Sequence, residues 1–274
     1  MPGAMGDDLE SDVEADWHRR VVGRSLRTAR ERSVDRGMNL IRAAVTVLDR
    51  SNGEDITVQE VADEAGQSLR TLYQYFASKD DLLLAVFEEA MRTYTKMIGR
   101  AIDDLSDPLE RLAGALIAAL RMPEHSGTGV DRGLTRLRLK LAEVDPQHVG
   151  EAQAALTSLV RELAEAAAAD GRITVRDPEG ATFMVLSLNA AFITAQTLGN
   201  DAGVRRPELF AVVAFCLHGL GADVDDAWLA SVDERLRLPA RRRRPGTAPK
   251  AASTNAEGTR RRSSRARTSS AKRA

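Results

Sequence analysis

Residues Thr57 to Phe76 read TVQEVADEAGQSLRTLYQYF and contain two helix starts eleven positions apart. Thr57 can accept from the free N–H groups of a first helix, and Glu60 three residues later completes a capping box. Val58, Val61 and Ala62 give that helix one apolar side. Ala65-Gly66 ends it, because glycine takes the left-handed backbone of a sharp exit. Ser68 caps a second helix from Leu69 to about Phe76, with Leu72 and Phe76 on one face at i, i+4. A cap of this kind is worth about 1 kcal/mol. Helices this short cannot stand alone in water and must pack on neighbours. Their dimensions are those of a helix-turn-helix.

The rest of the chain supports an all-α fold. Of 274 residues 43% are hydrophobic but only 4% are aromatic, and strand-like alternation is scarce. A first helix spans Val34 to Arg50, with Met38, Ile41, Val45 and Leu48 on one face, and stops at Ser51-Asn52-Gly53. Lys79-Asp80-Asp81 open a fourth helix that runs through Leu82, Val86, Met91 and Tyr94. Further helices are predicted near 107–122, 129–144, 147–170, 178–199, 207–221 and 225–237. Breaks are placed at Asp107-Pro108, Pro123, Asp145-Pro146, Asp170-Gly171, Asp177-Pro178 and Arg206-Pro207. Segment 178–199 is apolar nearly all round, so it must be buried on most sides, in a core or against a second subunit.

Several functional classes find no residues. The four histidines, His18, His125, His148 and His218, lack metal-ligand spacing, and no thiol cluster is possible with Cys216 alone. No glycine-rich phosphate loop or nucleophile elbow appears, so no catalytic residue, metal or cofactor is assigned and the chain reads as a non-enzyme. No uninterrupted apolar run has the length of a membrane span, and the N-terminus is acidic, unlike a signal peptide. A cytoplasmic protein without membrane contact is expected.

A helix-turn-helix lays its second helix in the DNA major groove. With Leu72 and Phe76 facing inward, the opposite side offers Arg70 for guanine, Gln74 for adenine and Thr71 for a thymine methyl. Tyr73 and Tyr75 sit at the edges, where a ring can pack while its hydroxyl reaches a phosphate, and Lys79 suits the next phosphate. Leu69 could meet a thymine methyl or pack on helix one, and the two cap residues Thr57 and Ser68 complete the candidate DNA contacts.

The stretch LIRAAVTVL…ITVQEVADEAGQSLRTLYQYFASKDDLL resembles the DNA-binding domain of the tetracycline-repressor (TetR/AcrR) family over roughly residues 34–96. The resemblance rests on Ala43-Ala44, Thr57-Val58, Val61-Ala62, Ala65-Gly66, Ser68, Thr71-Leu72-Tyr73, Tyr75-Phe76, Lys79 and Leu82. It departs at Gln67, where a small apolar residue is usual, at Leu69, and at Asn52 in place of glycine. It implies a dimer on a palindromic double-stranded operator, a second domain that binds a small molecule, and release of DNA by that effector. The domain plan that follows is an N-terminal arm (1–30), a three-helix DNA-binding domain (31–96, motif 57–76), a helical effector-binding and dimerisation domain (97–238) and a basic tail (239–274). Dimer contact is expected through the helices near 178–199 and 207–221. Met91, Tyr94, Met97, Leu120, Leu137, Leu141, Phe183 and Phe192 are candidate lining for a lipophilic effector, each equally readable as plain core.

Charge supports contact with a polyanion. Residues 239–274 carry twelve Lys/Arg against Glu257 alone, so a tail of net +11 and a remainder of −12 make up the formal −1. A disordered solubilising tail is the bland reading. The rival functional reading is an architectural, largely non-specific DNA binder driven by its basic arms.

Overall fold

Where the sequence places Asp before Pro, a helix starts. Asp107 Oδ1 accepts from Glu110 N at 2.9 Å, Asp145 Oδ1 from His148 N at 3.3 Å and Asp177 Oδ1 from Gly180 N at 2.9 Å. Each carboxylate satisfies a free N–H, and the proline that follows has none to satisfy. The structure, a computed structural model, describes residues 30–125, 128–199, 203 and 205–238, all within the compact unit Met1–Arg242. The first 29 residues and the 239–274 tail, with the calls made on them, lie outside the described residues.

Every described element is an α-helix: α1 (30–50), α2 (Val58–Glu64), α3 (Leu69–Tyr75), α4 (Lys79–Ala101), α5 (Pro108–His125), α6 (Thr128–Val144), α7 (Pro146–Ala169), α8 (Pro178–Leu198), α9 (Leu209–Gly219) and α10 (Asp226–Glu234). Pro123 was expected to break the chain but lies inside α5. It falls in the last turn, where the missing N–H forfeits a single intrahelical bond before the helix ends anyway. At 21 residues α8 is long and apolar enough to cross a membrane by length and composition, contrary to the expectation that no segment is. In this fold it packs against α5, α6, α7 and α9.

Two hydrophobic clusters organise the helices. The first joins Leu40, Ala44 and Val47 of α1 to Val61 of α2, Leu72 of α3, and Leu82, Val86 and Phe87 of α4. The second fills the space among α5, α7, α8, α9 and α10, around Leu112, Leu116, Leu120, Leu163, Phe192, Val213, Leu217 and Leu229. α4 belongs to both, because its far end supplies Ile98 and Ala101 to the second. A 23-residue helix is about 35 Å long, enough to run the length of one cluster and enter the other.

α6 is engaged on two sides. Gly129 and Gly133 let it approach the end of α1 closely: a Cβ on Gly129 would lie 2.3 Å from Asp49 O, and one on Gly133 2.8 Å from Leu48 Cδ2. Gly53, at φ +74°, is equally confined, since its Cβ would meet Gly133 N at 2.5 Å. Arg136 Nη1 donates to Gly53 O at 2.8 Å, and Lys140 Nζ pairs with Asp80 Oδ1 at 2.8 Å at the start of α4. On the other side Arg132 Nε donates to Thr197 O at 3.1 Å and Arg138 Nη2 to Thr194 Oγ1 at 3.0 Å, both on α8. α6 therefore ties the helix-turn-helix to α8.

Polar groups are sparse inside. Asn189 is buried at 4% exposure, and its Oδ1, like Gln196 Oε1, accepts no hydrogen bond. A buried acceptor left so ordinarily costs about 1–3 kcal/mol.

The seam makes a sharp prediction. Gly129→Ala drives a methyl group into a backbone carbonyl and should cost about 1–3 kcal/mol, as overpacking does. That lowers the thermal midpoint by roughly 2–12 °C in a body of this size. Gly150→Ala in α7, whose new Cβ would meet nothing within 4 Å, should gain about 0.5–1 kcal/mol from helix propensity instead. Calorimetry on the two variants checks both signs.

Candidate nucleic-acid interface

The two short helices are capped as their sequence demands. Thr57 Oγ1 accepts from Glu60 N at 3.2 Å, while Glu60 Oε2 accepts from Thr57 N and Oγ1, each at 2.8 Å. The Thr57 N–H and hydroxyl hold the Glu60 carboxyl below the usual range. Ser68 Oγ accepts from Thr71 N at 3.1 Å, and the two hydroxyls lie 2.9 Å apart. Gly66, at φ +64°, turns the chain between the helices. The turn is then held from α1: Asn39 Nδ2 donates to Ala65 O at 3.0 Å and Gln67 Nε2 to Arg36 O at 3.3 Å. Gln67, a departure from the family pattern, thus replaces an apolar contact with a backbone bond.

α3 buries one side and bares the other. Leu72 is 0% exposed and the α3 cap Phe76 7%. Arg70 and Gln74 are exposed, make no side-chain hydrogen bond to any described residue and are free to meet a ligand. Tyr73 is 52% exposed beside them. Thr71 is half-buried with its hydroxyl engaged by Ser68. The ring of Tyr75 lies against Gly37 of α1, and its hydroxyl accepts from Ser33 Oγ at 3.4 Å. Leu69 is half-buried against the first cluster. The structure thus brings Arg70, Tyr73 and Gln74 together on one open surface and turns Tyr75 toward α1 and Leu69 toward the first cluster.

Lys79 begins α4 and is not idle. Its Nζ lies 2.7 Å from Asp55 Oδ1, and that hydrogen bond chiefly holds the Asp55 carboxyl below its ordinary value. The pair is intact at neutral pH and is lost only as pH falls through that depressed value. Sequence reading missed Asp55, whose partner is 24 residues away, and also Ser78, which caps α4 by accepting from Asp81 N at 3.0 Å. For Ser78 the signal was present, since Ser78-Lys79-Asp80-Asp81 has capping-box spacing.

The effector-lining candidates do not converge. Leu120 and Phe192 lie in the second cluster, while Met91 and Tyr94 pack against the first. Met97 is half-buried. Leu137 and Leu141 join the DNA-binding helices, because the apolar side of α6 faces α1 and α4 while its α8 side is polar. Phe183 is 72% exposed. Helical spacing showed that these faces are apolar but not what each one meets. A surface cleft of about 300 Å³ lies elsewhere, lined by Leu109, Arg172, Asp223, Val224, Asp225 and Trp228. Among the described residues no group of His, Cys, Asp or Glu is placed to hold a metal ion. Burial pushes the Cys216 thiol up to about 11, so it stays protonated at neutral pH.

A phosphate reaching Lys79 would have to displace Asp55, which gives a second prediction. Asp55→Asn should raise affinity for every DNA sequence alike, by about two- to fivefold, the scale of an exposed ion pair. Lys79→Ala should weaken binding uniformly and reduce the salt slope by about one. Titrations over a range of salt separate the two.

Comparison with known proteins agrees with this geometry. Residues 40–86 match the family described as bacterial regulatory proteins, tetR family. Over 123 residues the chain is 32% identical to the HTH-type transcriptional activator FasR of Mycolicibacterium smegmatis, covering 44% of this chain and 56% of that one. Over 84 residues it is 34% identical to the HTH-type transcriptional regulator HbdR of Aromatoleum sp., covering 31% and 37%. The chain thus spans about a third to a half of the length of these curated relatives. Two crystal structures share the fold more widely. RolR in complex with resorcinol has a TM-score of 0.56 at 20% identity, covering 77% of this chain and 99% of RolR. FadR from Bacillus subtilis in complex with stearoyl-CoA has a TM-score of 0.53 at 22% identity, covering 69% and 99%. The capped helix-turn-helix lies within residues 40–86, the part of the chain that is similar to the tetR family of bacterial regulatory proteins, and the helical body behind it shares the fold of RolR and FadR.

Proposed function

We propose that this protein is a dimeric, cytoplasmic transcriptional repressor that reads a palindromic operator through α3 and leaves it when a small, largely apolar effector binds the second cluster. The observation that carries this reading is the division of α3. Its apolar residues are pinned, while Arg70 and Gln74 stand exposed beside Tyr73 without internal partners. Arg and Gln are the side chains that take guanine and adenine bidentately.

Dimerisation has its own support. Phe183 and Met184 of α8 are 72% and 65% exposed, and Phe215 of α9 is 71% exposed. Large apolar groups bared together on the two most apolar helices fit burial against a second copy. Two copies of α3 about one DNA turn apart would then read two half-sites. An effector is supported by the fold relatives, of which RolR was seen with resorcinol and FadR with stearoyl-CoA. α6 is the mechanical link, since a shift of α8 reaches the helix-turn-helix through Arg132, Arg138, Arg136 and the glycine seam. The 31–96 and 97–238 domains then meet within α4 and across α6. FasR is named an activator, so the sign of regulation is read by transcription in vitro from a promoter that holds the selected site.

Selection of bound fragments from a random DNA pool tests the proposal and should yield one inverted repeat. Arg70→Ala should relax preference at one base pair per half-site, worth about 1–3 kcal/mol. An equal loss on all sequences would make Arg70 a phosphate contact. Phe215→Asp should convert the dimer to a folded monomer by analytical ultracentrifugation and weaken binding to the full repeat far more than to a half-site. A variant that stays dimeric places the interface elsewhere.

A further inference from the structure

Asn189 and Gln196 lie on one line of α8. Seven residues make two helical turns less 20°, so their side chains project in the same direction about 10 Å apart along the axis. At 100° per residue this line is opposite the exposed side that carries Phe183 and Met184, and it borders Val185 and Phe192 of the second cluster. A partner subunit on the exposed side therefore cannot satisfy it.

In the helix-turn-helix Gln67 Oε1 also accepts no hydrogen bond, but its Nε2 is engaged by Arg36 O; the buried threonines and Asp131 have partners. Thr182 Oγ1 donates to Pro178 O at 2.7 Å, Thr197 Oγ1 donates to Ile193 O at 2.8 Å and lies 3.1 Å from Thr135 Oγ1, and Tyr94 Oη donates to Asp131 Oδ1 at 3.3 Å. Asn189 Oδ1 and Gln196 Oε1 accept nothing, although both atoms are buried, the first on a buried residue and the second on a half-buried one. Leucine would fill either place without leaving an acceptor unpaired, so the amides stand out as groups kept for something the protein itself does not supply.

We infer that Asn189 and Gln196 are the polar anchors of the effector site, and that the effector is a neutral, largely apolar molecule with hydrogen-bond-donating hydroxyls at two points about two helix turns apart. The inference rests on the effector-responsive reading above and names the chemistry of its ligand. Both free atoms are carbonyl acceptors, so they call for donors. Val185 and Phe192 beside the amides are apolar, a surround that disfavours a charged ligand. The same two side chains would give an apolar body its contacts, and the two amides would fix its orientation.

The test uses the full chain and a rigid probe, 4,4′-biphenol, whose two hydroxyls match the span. Its dimethyl ether keeps the shape and lacks both donors. Biphenol should raise the thermal midpoint by several degrees, and the ether should leave it unchanged. Asn189→Leu and Gln196→Leu should each abolish the biphenol shift while holding or raising the ligand-free midpoint, since each removes an unpaired acceptor. Equal shifts from biphenol and its ether overturn the inference. So does the absence of any biphenol shift, its survival in both variants, or a clear fall of the ligand-free midpoint in Asn189→Leu. A chain that binds biphenol but selects no operator keeps this inference and loses the regulator reading. One that selects an operator and ignores biphenol does the reverse.

Discussion

The close approach of α6 to the end of α1 is the constraint on which the rest of the molecule depends. Backbone meets backbone there because Gly53, Gly129 and Gly133 carry no Cβ, and Arg136 closes the contact by donating to Gly53 O. The helix-turn-helix is too small to hold a fixed attitude by itself. Its first cluster is completed by Leu134, Leu137 and Leu141 of α6 and Val149 of α7. The exposed side of α3 is consequently positioned by the body behind it as well as by the motif itself.

Within the motif the physics is local and divides the scarce aromatic residues by task. Phe76 is buried and ends α3, Tyr75 leans on Gly37 with its hydroxyl on Ser33, and Tyr73 alone stands open beside Arg70 and Gln74. Charge is managed similarly. Asp55 pairs with Lys79 and Asp80 with Lys140, whereas Arg70 is left open on α3. The Asp80–Lys140 pair raises the Lys140 ammonium above its usual value, chiefly through that hydrogen bond.

What was legible in the sequence is what local chemistry determines. Thr57, Glu60, Gly66 and Ser68 act within four residues of themselves, so α2, the turn and α3 could be placed from them, and the Asp-Pro pairs marked later helix starts in the same way. Long-range pairings were not legible. Periodicity showed that Leu137 and Leu141 face inward, but nothing within α6 says that inward means toward α1 and not toward an effector. Gly129 and Gly133 read only as weak helix formers until the carbonyl of Asp49 appears beside them. The apolar run of α8 places Phe183 inside as readily as outside, and it lies on the exposed side of that helix. Pro123 failed as a breaker because its position in the last turn made it cheap to tolerate.

The central claim is that α3 reads bases and that the basic arms do not account for binding. Nuclease footprinting of the intact chain on the selected fragment at moderate salt tests it most directly. The account predicts a short, two-fold symmetric protection with half-sites about one helical turn apart, unchanged in extent as protein is added. Protection that spreads evenly along the fragment with rising protein, and vanishes at moderate salt, would contradict it.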